Sequence, residues 1–202
     1  MRRVTLLLAS PLLAGLALAA CSGGDDAPLQ AEPAAVVQSG YRILPERSEV
    51  RVTGTQQGES FTGTFESFDA AIDFDADDLE NARVRVSLPI ASLDLGSSDR
   101  NDALPGKVWF STRLHPVAVF EADTFRTDGD GYVADGTLTV KGLRRGLSLP
   151  FILEDEGGLT VMRGSVVLDR TRWNLGDAPW DTEEYVGHDV RVDVELVAEP
   201  LD

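Results

Sequence analysis

The chain has 202 residues and a formal net charge of −16, with 34 acidic residues against 18 basic ones and a single cysteine. A surface this acidic repels phosphate backbones, so we expect no nucleic-acid partner. A lone cysteine leaves no disulfide within the chain and no thiolate metal cluster, so stability must come from a hydrophobic core.

The N-terminus has the pattern of a bacterial lipoprotein signal. Arg2 and Arg3 precede a short Leu/Ala run, and small residues stand directly before Cys21. This pattern predicts a signal peptide over residues 1–20 and acylation of Cys21. The alternative is an ordinary signal peptide with an incidental thiol. Acyl chains on Cys21 would anchor the protein to a membrane without spanning it.

The expected cellular location follows from the same segment. Ser22 stands after the predicted lipidated cysteine where an aspartate would favour the inner membrane. The usual Gram-negative sorting rule then predicts a periplasmic protein held on the outer membrane. Residues 21–40 are rich in Gly, Pro, Ala and acid, which is typical of a flexible linker. Residues 41–202 are long enough for one well-buried domain.

The folded part is dominated by alternation of apolar and polar residues. In residues 132–141 the even positions are apolar or small, and nearly all odd ones are polar. Similar runs start at Val84, Leu147 and Val190, and weaker ones cover 50–52, 61–65 and 70–74. Period-two alternation predicts half-buried antiparallel strands. We therefore expect an all-β fold, an antiparallel β-barrel of about eight strands.

Turns and irregularities can be placed between these runs. Asp128–Gly131 and Asp155–Gly158 have turn composition and predict links between adjacent strands. The phase of the pattern slips between Val161 and Val166, which predicts a bulge at Arg163–Gly164. Residues 97–111 break the β pattern and predict a short helical insertion.

Few residues suggest catalysis or metal binding. His115 and His188 have no partner at ligand spacing, and a loop role is the common alternative for each. The aspartates at 73, 75, 77 and 78 lack the glycine and the glutamate that a calcium-binding loop requires. We therefore expect no enzyme activity, no metal and no cofactor.

The large rings suggest a binding role instead. Trp109, Trp173 and Trp180, with Phe110 and Phe120, could line a cavity, although ordinary core packing is the alternative for each. A barrel lined by apolar residues offers an interior suited to a hydrocarbon ligand.

The order of these signals resembles the YceI-like family of periplasmic proteins, whose fold is an extended lipocalin-like barrel. The residues that carry the resemblance are Gly63–Phe65 with Phe68, Ser92–Gly96 with Arg100 and Asp102, His115–Pro116 with Phe120, Gly136–Gly142, and Asp169–Arg170 with Trp173 and Gly176. The resemblance implies binding of a polyisoprenoid or similar long-chain lipid within the barrel, without known catalysis.

One segment departs from the family pattern. Family members tend to carry Arg-Asp-x-His-Leu after the position of Gly96, whereas this chain has Arg100, Asn101, Asp102, Ala103 and Leu104. A contact from that histidine to a ligand head group is therefore not expected here.

The sequence thus favours a membrane-anchored lipoprotein that binds a long apolar ligand for carriage or sequestration. The residues predicted to line its site are Val50, Phe65, Ile72, Phe74, Trp109, Phe120, Leu138, Leu149, Phe151 and Trp173. The main alternative is a non-binding envelope scaffold whose barrel is filled by its own rings. A hydrolase using His115 is a more distant alternative.

Overall fold

The computed structural model describes residues 40–201. The predicted signal peptide, the predicted lipidation residue Cys21 and residues 21–39 of the predicted linker lie outside this range. The strands are β1 (Tyr41–Ile43), β2 (Glu49–Gln56), β3 (Glu59–Phe65), β4 (Asp69–Asp73), β5 (Arg83–Pro89), β6 (Leu93–Asp94), β7 (Val117–Asp128), β8 (Gly131–Val140), β9 (Leu143–Glu156), β10 (Leu159–Asp169) and β11 (Asp189–Pro200). The one α-helix of the described residues, α1, covers Ser98–Ala103.

All strand pairs are antiparallel, and the described strands form one eleven-stranded sheet. The strand order is β4-β5-β7-β8-β9-β10-β11-β2-β3-β6, and β1 pairs with the C-terminal part of β11. The predicted all-β antiparallel barrel is confirmed. The strand count exceeds the expected eight partly because β1 and β6, with three and two residues, are too short to show a periodicity.

The curled sheet is held together where its two ends meet. The Glu66 N–H donates to the Ser92 carbonyl at 2.8 Å, and the Ser92 hydroxyl donates to the Ser67 carbonyl at 2.8 Å. These bonds join the link that follows β3 to the link that follows β5, so the sheet curls around an interior.

The alternation predicts the inward faces correctly. Leu138 and Val140 on β8 point into the barrel and are 7% exposed, as the even-numbered pattern requires. Both predicted turns join neighbouring strands: β7 ends at Asp128 before β8 begins at Gly131, and β9 ends at Glu156 before β10 begins at Leu159. The predicted helical insertion is also present as α1.

The predicted bulge at Arg163–Gly164 is wrong. The register of β10 against β11 runs without a shift from Thr160 to Asp169. Val161 breaks the apparent phase because it is buried on the outer face, opposite Val197. The segment that follows β1 covers this outer patch, because the Val197 carbonyl accepts from Leu44 N–H at 2.8 Å. The apolar residue therefore has a covered position on the outside and needs no irregular backbone.

A register shift does occur elsewhere, between Ala122 and Thr124 on β7. It faces Gly136 on β8, where a Cβ atom would lie 2.3 Å from the Glu121 carbonyl oxygen. Glycine is needed here because the two backbones approach too closely for any side chain.

Candidate functional site

The barrel encloses a cavity of about 640 Å³, within the range of small-molecule sites in proteins. It is lined by the inward faces of the long strands, and almost all of its lining is apolar. All ten residues predicted to line a site surround it: Val50, Phe65, Ile72, Phe74, Trp109, Phe120, Leu138, Leu149, Phe151 and Trp173. Their contact with a ligand stays a prediction.

Small and medium side chains at inward positions keep this space open. Ala118, Ala134 and Ala198 point into the cavity, as does Gly54. The other inward residues of β11 are aliphatic; they are Val190, Val192, Val194 and Leu196. The cavity contradicts the alternative in which the barrel is filled by its own rings.

Four aromatic rings form a cluster at one end of the barrel. The ring of Phe74 makes edge contacts with three neighbours, at centroid distances of 5.5 Å to Phe125, 5.2 Å to Tyr132 and 5.6 Å to Phe151. Tyr132 and Phe151 stack on each other at 5.4 Å. This cluster obstructs one end of the barrel. Aliphatic side chains line the rest of the interior together with further rings, among them Phe65, Phe120 and Trp173.

The opposite end is covered by residues 174–188, which we call the cover segment. Arg170 lies beneath it with 3% exposure. Its guanidinium donates to five backbone carbonyls of the cover segment, those of Leu175, Gly176, Trp180, Val186 and Gly187. These bonds use the whole donor set of the side chain.

Arg170 is a buried cation with no directly bonded carboxylate among the described residues. Burial lowers the pKa of its guanidinium, and the negative charges of Asp169, Asp181 and Glu183 oppose that shift. Because carbonyl dipoles solvate the charge, the arginine organises the cover segment and has no donor left for a ligand. The local sequence around Arg170 does not indicate this role, although Arg170 is one of the residues that carry the family resemblance.

The two tryptophans predicted to line the site differ in their contacts. Trp173 is 1% exposed, and its Nε1 already donates to the Leu138 carbonyl at 3.2 Å. Trp109 lies below Arg170, whose Cζ is 5.7 Å from the indole centroid. Both rings therefore present apolar surface to the cavity.

Four polar residues of the lining, Gln56, Ser97, Asp99 and Arg100, lie around the N-terminal part of α1 and the end of β2. The Arg100 Nε donates to the Leu95 carbonyl at 3.1 Å, and its Nη1 donates to the Gln56 Oε1 at 3.2 Å. The Arg100 guanidinium also lies 4.7 Å from the centroid of Phe61. We call these four polar residues the polar edge of the cavity.

The departure from the family motif lies beside this polar edge. Ala103, at the position of the family histidine, lines the cavity and adds no polar group. Asn101 fixes the helix to β6: its Oδ1 accepts from Leu95 N–H and its Nδ2 donates to Asp94, both at 2.8 Å. The hydrogen bond from Asn101, together with one from Gly96 N–H, lowers the pKa of Asp94.

The residues considered for catalysis or metal binding lie at turns and strand entrances. His115 stands just before β7, and its ring packs against Gly142. His188 Nε2 lies 3.0 Å from the Asp181 carbonyl. Asp75 accepts from Asp77 N–H at 2.9 Å and so forms part of a turn. Within residues 40–201, no cluster of possible metal ligands was found, and no helix is long and apolar enough to cross a bilayer.

The sequence matches the model of a known protein family. A model described as YceI-like domain matches residues 41–198, more than half of the chain. The chain belongs to the YceI-like family. The resemblance in the sequence motifs is thereby confirmed.

Curated proteins similar to this YceI-like chain are named only by family number. A UPF0312 protein of Photorhabdus laumondii is 35% identical over 95 residues, 47% of this chain and 50% of that protein. A UPF0312 protein of Yersinia pestis is 30% identical over 95 residues, with the same shares covered. The chain thus spans about half the length of the curated relatives that it matches.

Solved structures agree with the YceI-like fold. Burkholderia cenocepacia BcnA has a TM-score of 0.73 and 26% identity, covering 77% of this chain and 99% of BcnA. A domain of Saccharophagus degradans, described as polyisoprenoid binding and implicated in plant cell wall breakdown, has a TM-score of 0.62 and 13% identity. That match covers 80% of this chain and 98% of the domain, and it shows a shared fold.

Proposed function

We propose that this protein binds a long apolar chain, a polyisoprenoid or similar lipid, inside the barrel for carriage or sequestration. The observation that carries the proposal is the cavity of about 640 Å³ with an almost wholly apolar lining. The Saccharophagus domain, which shares the fold, is described as polyisoprenoid binding. An apolar cavity with few convergent polar groups is the usual form of a hydrophobic ligand site.

Burial of hydrocarbon supplies the affinity. A five-carbon isoprene unit gains about 3 to 4 kcal/mol on leaving water, at roughly 0.8 kcal/mol for each carbon group. Part of this gain offsets the loss of ligand freedom. A few units are therefore enough for tight binding, and chain length matters more than the head group.

The polar edge gives the bound lipid a direction. Arg100, Gln56 and Ser97 can donate hydrogen bonds, whereas the opposite end of the cavity holds the ring cluster around Phe74. A lipid with one polar end would place that end beside Arg100 and its hydrocarbon towards Phe74. The adjacent Asp99 disfavours a head group with several negative charges.

We also propose that the protein works in the periplasm, on the outer membrane, through acylated Cys21. The lipoprotein pattern before Cys21 and the following Ser22 support this location. About 20 residues of linker would let the barrel move near the bilayer surface without entering it. A tethered carrier meets lipids that leave the membrane at high local concentration.

The experiment is to identify what the purified protein carries. The full chain is expressed with its leader, released from membranes, separated from detergent, and extracted with organic solvent for mass spectrometry. We expect one long-chain lipid in stoichiometric amount. Extraction from an unrelated lipoprotein purified in the same way controls for adhering membrane lipid. Reproducible absence of a stoichiometric lipid, together with failure to bind added polyprenol, would overturn the proposal.

A further inference from the structure

The barrel wall is not hydrogen-bonded along its whole height between β9 and β10. The two strands pair from Leu159 with Glu156 as far as Gly164 with Phe151, and no later rung joins them within residues 40–201. Both strands continue beyond this point, each paired on its other edge. Residues 146–150 of β9 and 165–169 of β10 therefore border an open stretch, which we call the seam. At about 3.3 Å per residue the seam is roughly 16 Å long.

Pro150 stands at the point where the pairing stops. It is the next residue of β9 beyond the last pair, Phe151 with Gly164, and it lies opposite Ser165. Proline has no backbone N–H to donate. Its carbonyl oxygen points towards β10, because it would lie 3.0 Å from a Cβ atom placed on Gly164. The next rung therefore cannot form in full.

Side chains on the two borders of the seam bond to their own sides of the wall. The Ser148 hydroxyl of β9 donates to Asp135 on β8. The Ser165 hydroxyl of β10 bonds to Asp193 on β11. Each contact stays on its own side of the wall, and neither bridges the seam.

Both ends of the seam are nevertheless fastened. At the paired end, Arg163 on β10 binds Glu154 and Glu156 on β9 as well as Glu195 on β11. At the other end, Arg145 Nε on β9 donates to the carbonyl of Arg172, just after β10, at 3.0 Å. The open stretch is thus a bounded gap in the wall, unlike a frayed strand end.

Only aliphatic side chains lie between the seam and the cavity. The inward residues on its borders are Leu147 and Leu149 on β9 and Val166 and Leu168 on β10, and all four line the cavity. On the outer rim, Val167 is 56% exposed. A hydrocarbon passing through would meet apolar atoms on both borders.

The two ends of the barrel are harder to open. One is obstructed by the rings around Phe74, whose displacement would break packed aromatic contacts. The other is covered by the cover segment, which Arg170 holds through five carbonyls. Parting the seam breaks no strand-to-strand hydrogen bond, because the rungs are already missing.

We propose that an apolar chain enters and leaves the cavity sideways through the seam, and that Pro150 keeps this route open. This inference rests on the proposed function, since it concerns the path of the same ligand. The lipid slides between the leucines of β9 and the aliphatic side chains of β10 while the ring cluster and the cover segment stay in place.

The test separates the rate of binding from its strength. Retinol, a fluorescent isoprenoid alcohol, is mixed with the full chain in a stopped-flow instrument, and association and dissociation rate constants are measured with the equilibrium Kd. Pro150→Val restores the missing donor, and Val167→Asp places a charge on the outer rim. Ile152→Asp is the matched control, because Ile152 is an exposed aliphatic residue of β9 (42%) within the paired part.

We expect Pro150→Val to slow association and dissociation together by about tenfold, the effect of one added hydrogen bond, with Kd nearly unchanged. Val167→Asp should slow association by a similar factor, and Ile152→Asp should leave both rates as they are. Unchanged rates in both seam variants, with normal Kd, would overturn the route while leaving the binding function intact. If the unmodified chain bound neither retinol nor polyprenol, the function and the route would both fail.

Amide hydrogen exchange gives a second readout that needs no ligand and no variant. The amides of Ser148 and Val167 on the borders of the seam should exchange about a hundredfold faster than that of Ile152 in the paired part. Equal protection at all three positions would mean that the seam is closed in solution and would overturn the proposal.

Discussion

The guanidinium of Arg170 lies over the indole of Trp109, with its Cζ 5.7 Å from the ring centroid. From this position it reaches the carbonyls of Trp180 at 2.6 Å and Val186 at 2.8 Å. One side chain thus ties the cover segment to the wall of the cavity. The arrangement depends on the planar, forked shape of arginine, which a single ammonium group cannot reproduce.

Replacement of Arg170 by lysine should therefore be costly. Arg170→Lys keeps the buried charge but can serve at most three of the five carbonyls, so we expect a loss of roughly 3 to 5 kcal/mol in the free energy of unfolding. Urea unfolding followed by tryptophan fluorescence measures this. Arg191→Lys, at an exposed ion pair with Asp193, is the control and should cost less than about 0.5 kcal/mol. Similar costs for the two variants would contradict the role given to Arg170.

Narrowing the cavity should weaken lipid binding. Val192 points into the cavity and is only half-buried, so Val192→Phe has room for the larger ring. We expect Kd for polyprenol to rise roughly tenfold, a loss of about 1.4 kcal/mol, because the ring occupies space needed by the ligand. The same exchange at Val117, which is exposed at the start of β7, should not change Kd. Equal effects at both positions would argue against binding in the cavity.

The ring cluster should be a main source of stability. Phe74 is 8% exposed and contacts three other rings, so Phe74→Ala should lower the free energy of unfolding by roughly 3 to 5 kcal/mol. Calorimetry or urea unfolding measures the change. Phe61→Ala, at a partly buried ring outside this cluster, should cost clearly less. A larger loss for Phe61→Ala than for Phe74→Ala would show that the ring cluster contributes little to the stability of the barrel.

Titration of Asp169 offers a test of local geometry. The Thr171 hydroxyl donates to the Asp169 carboxylate at 2.6 Å and lowers the pKa of that carboxyl. Because the folded-state pKa is depressed, the resulting stability is present above the unfolded pKa and is lost as pH falls through the folded value. Thr171→Val should raise the pKa of Asp169 towards its ordinary value. The free energy of unfolding should then fall less as the pH is lowered. Carboxyl NMR titration measures the shift, and an unchanged pKa would contradict the assignment.

The membrane anchor can be tested separately from the barrel. With Cys21 replaced, in Cys21→Ala, we expect no incorporation of labelled palmitate and release of the protein from the membrane fraction. Cys21→Ala should leave polyprenol binding unchanged, because residues 41–198 carry the family domain. Membrane retention without label would show that something other than acylation holds the protein.

Much of the fold followed from local pattern. The inward faces of β5, β8, β9 and β11 were predicted correctly because alternation reports which side of a strand is dry. The bulge at Gly164 was predicted wrongly because alternation cannot distinguish two buried faces, and Val161 is buried on the outside. The role of Arg170 was missed because its partners are backbone carbonyls up to 17 residues away, which leave no side-chain signature.

By itself, the sequence determined the strand phases, the turns, the family and the apolar character of the interior, since each depends on residue type at short spacing. Only the tertiary structure decided that the interior contains a cavity. Inward residues that fill a core and inward residues that face a cavity have the same pattern along the chain. Their difference arises from how far the curled strands hold opposite walls apart. Pro150 adds an interruption of the wall, because its missing donor lies at the edge between β9 and β10.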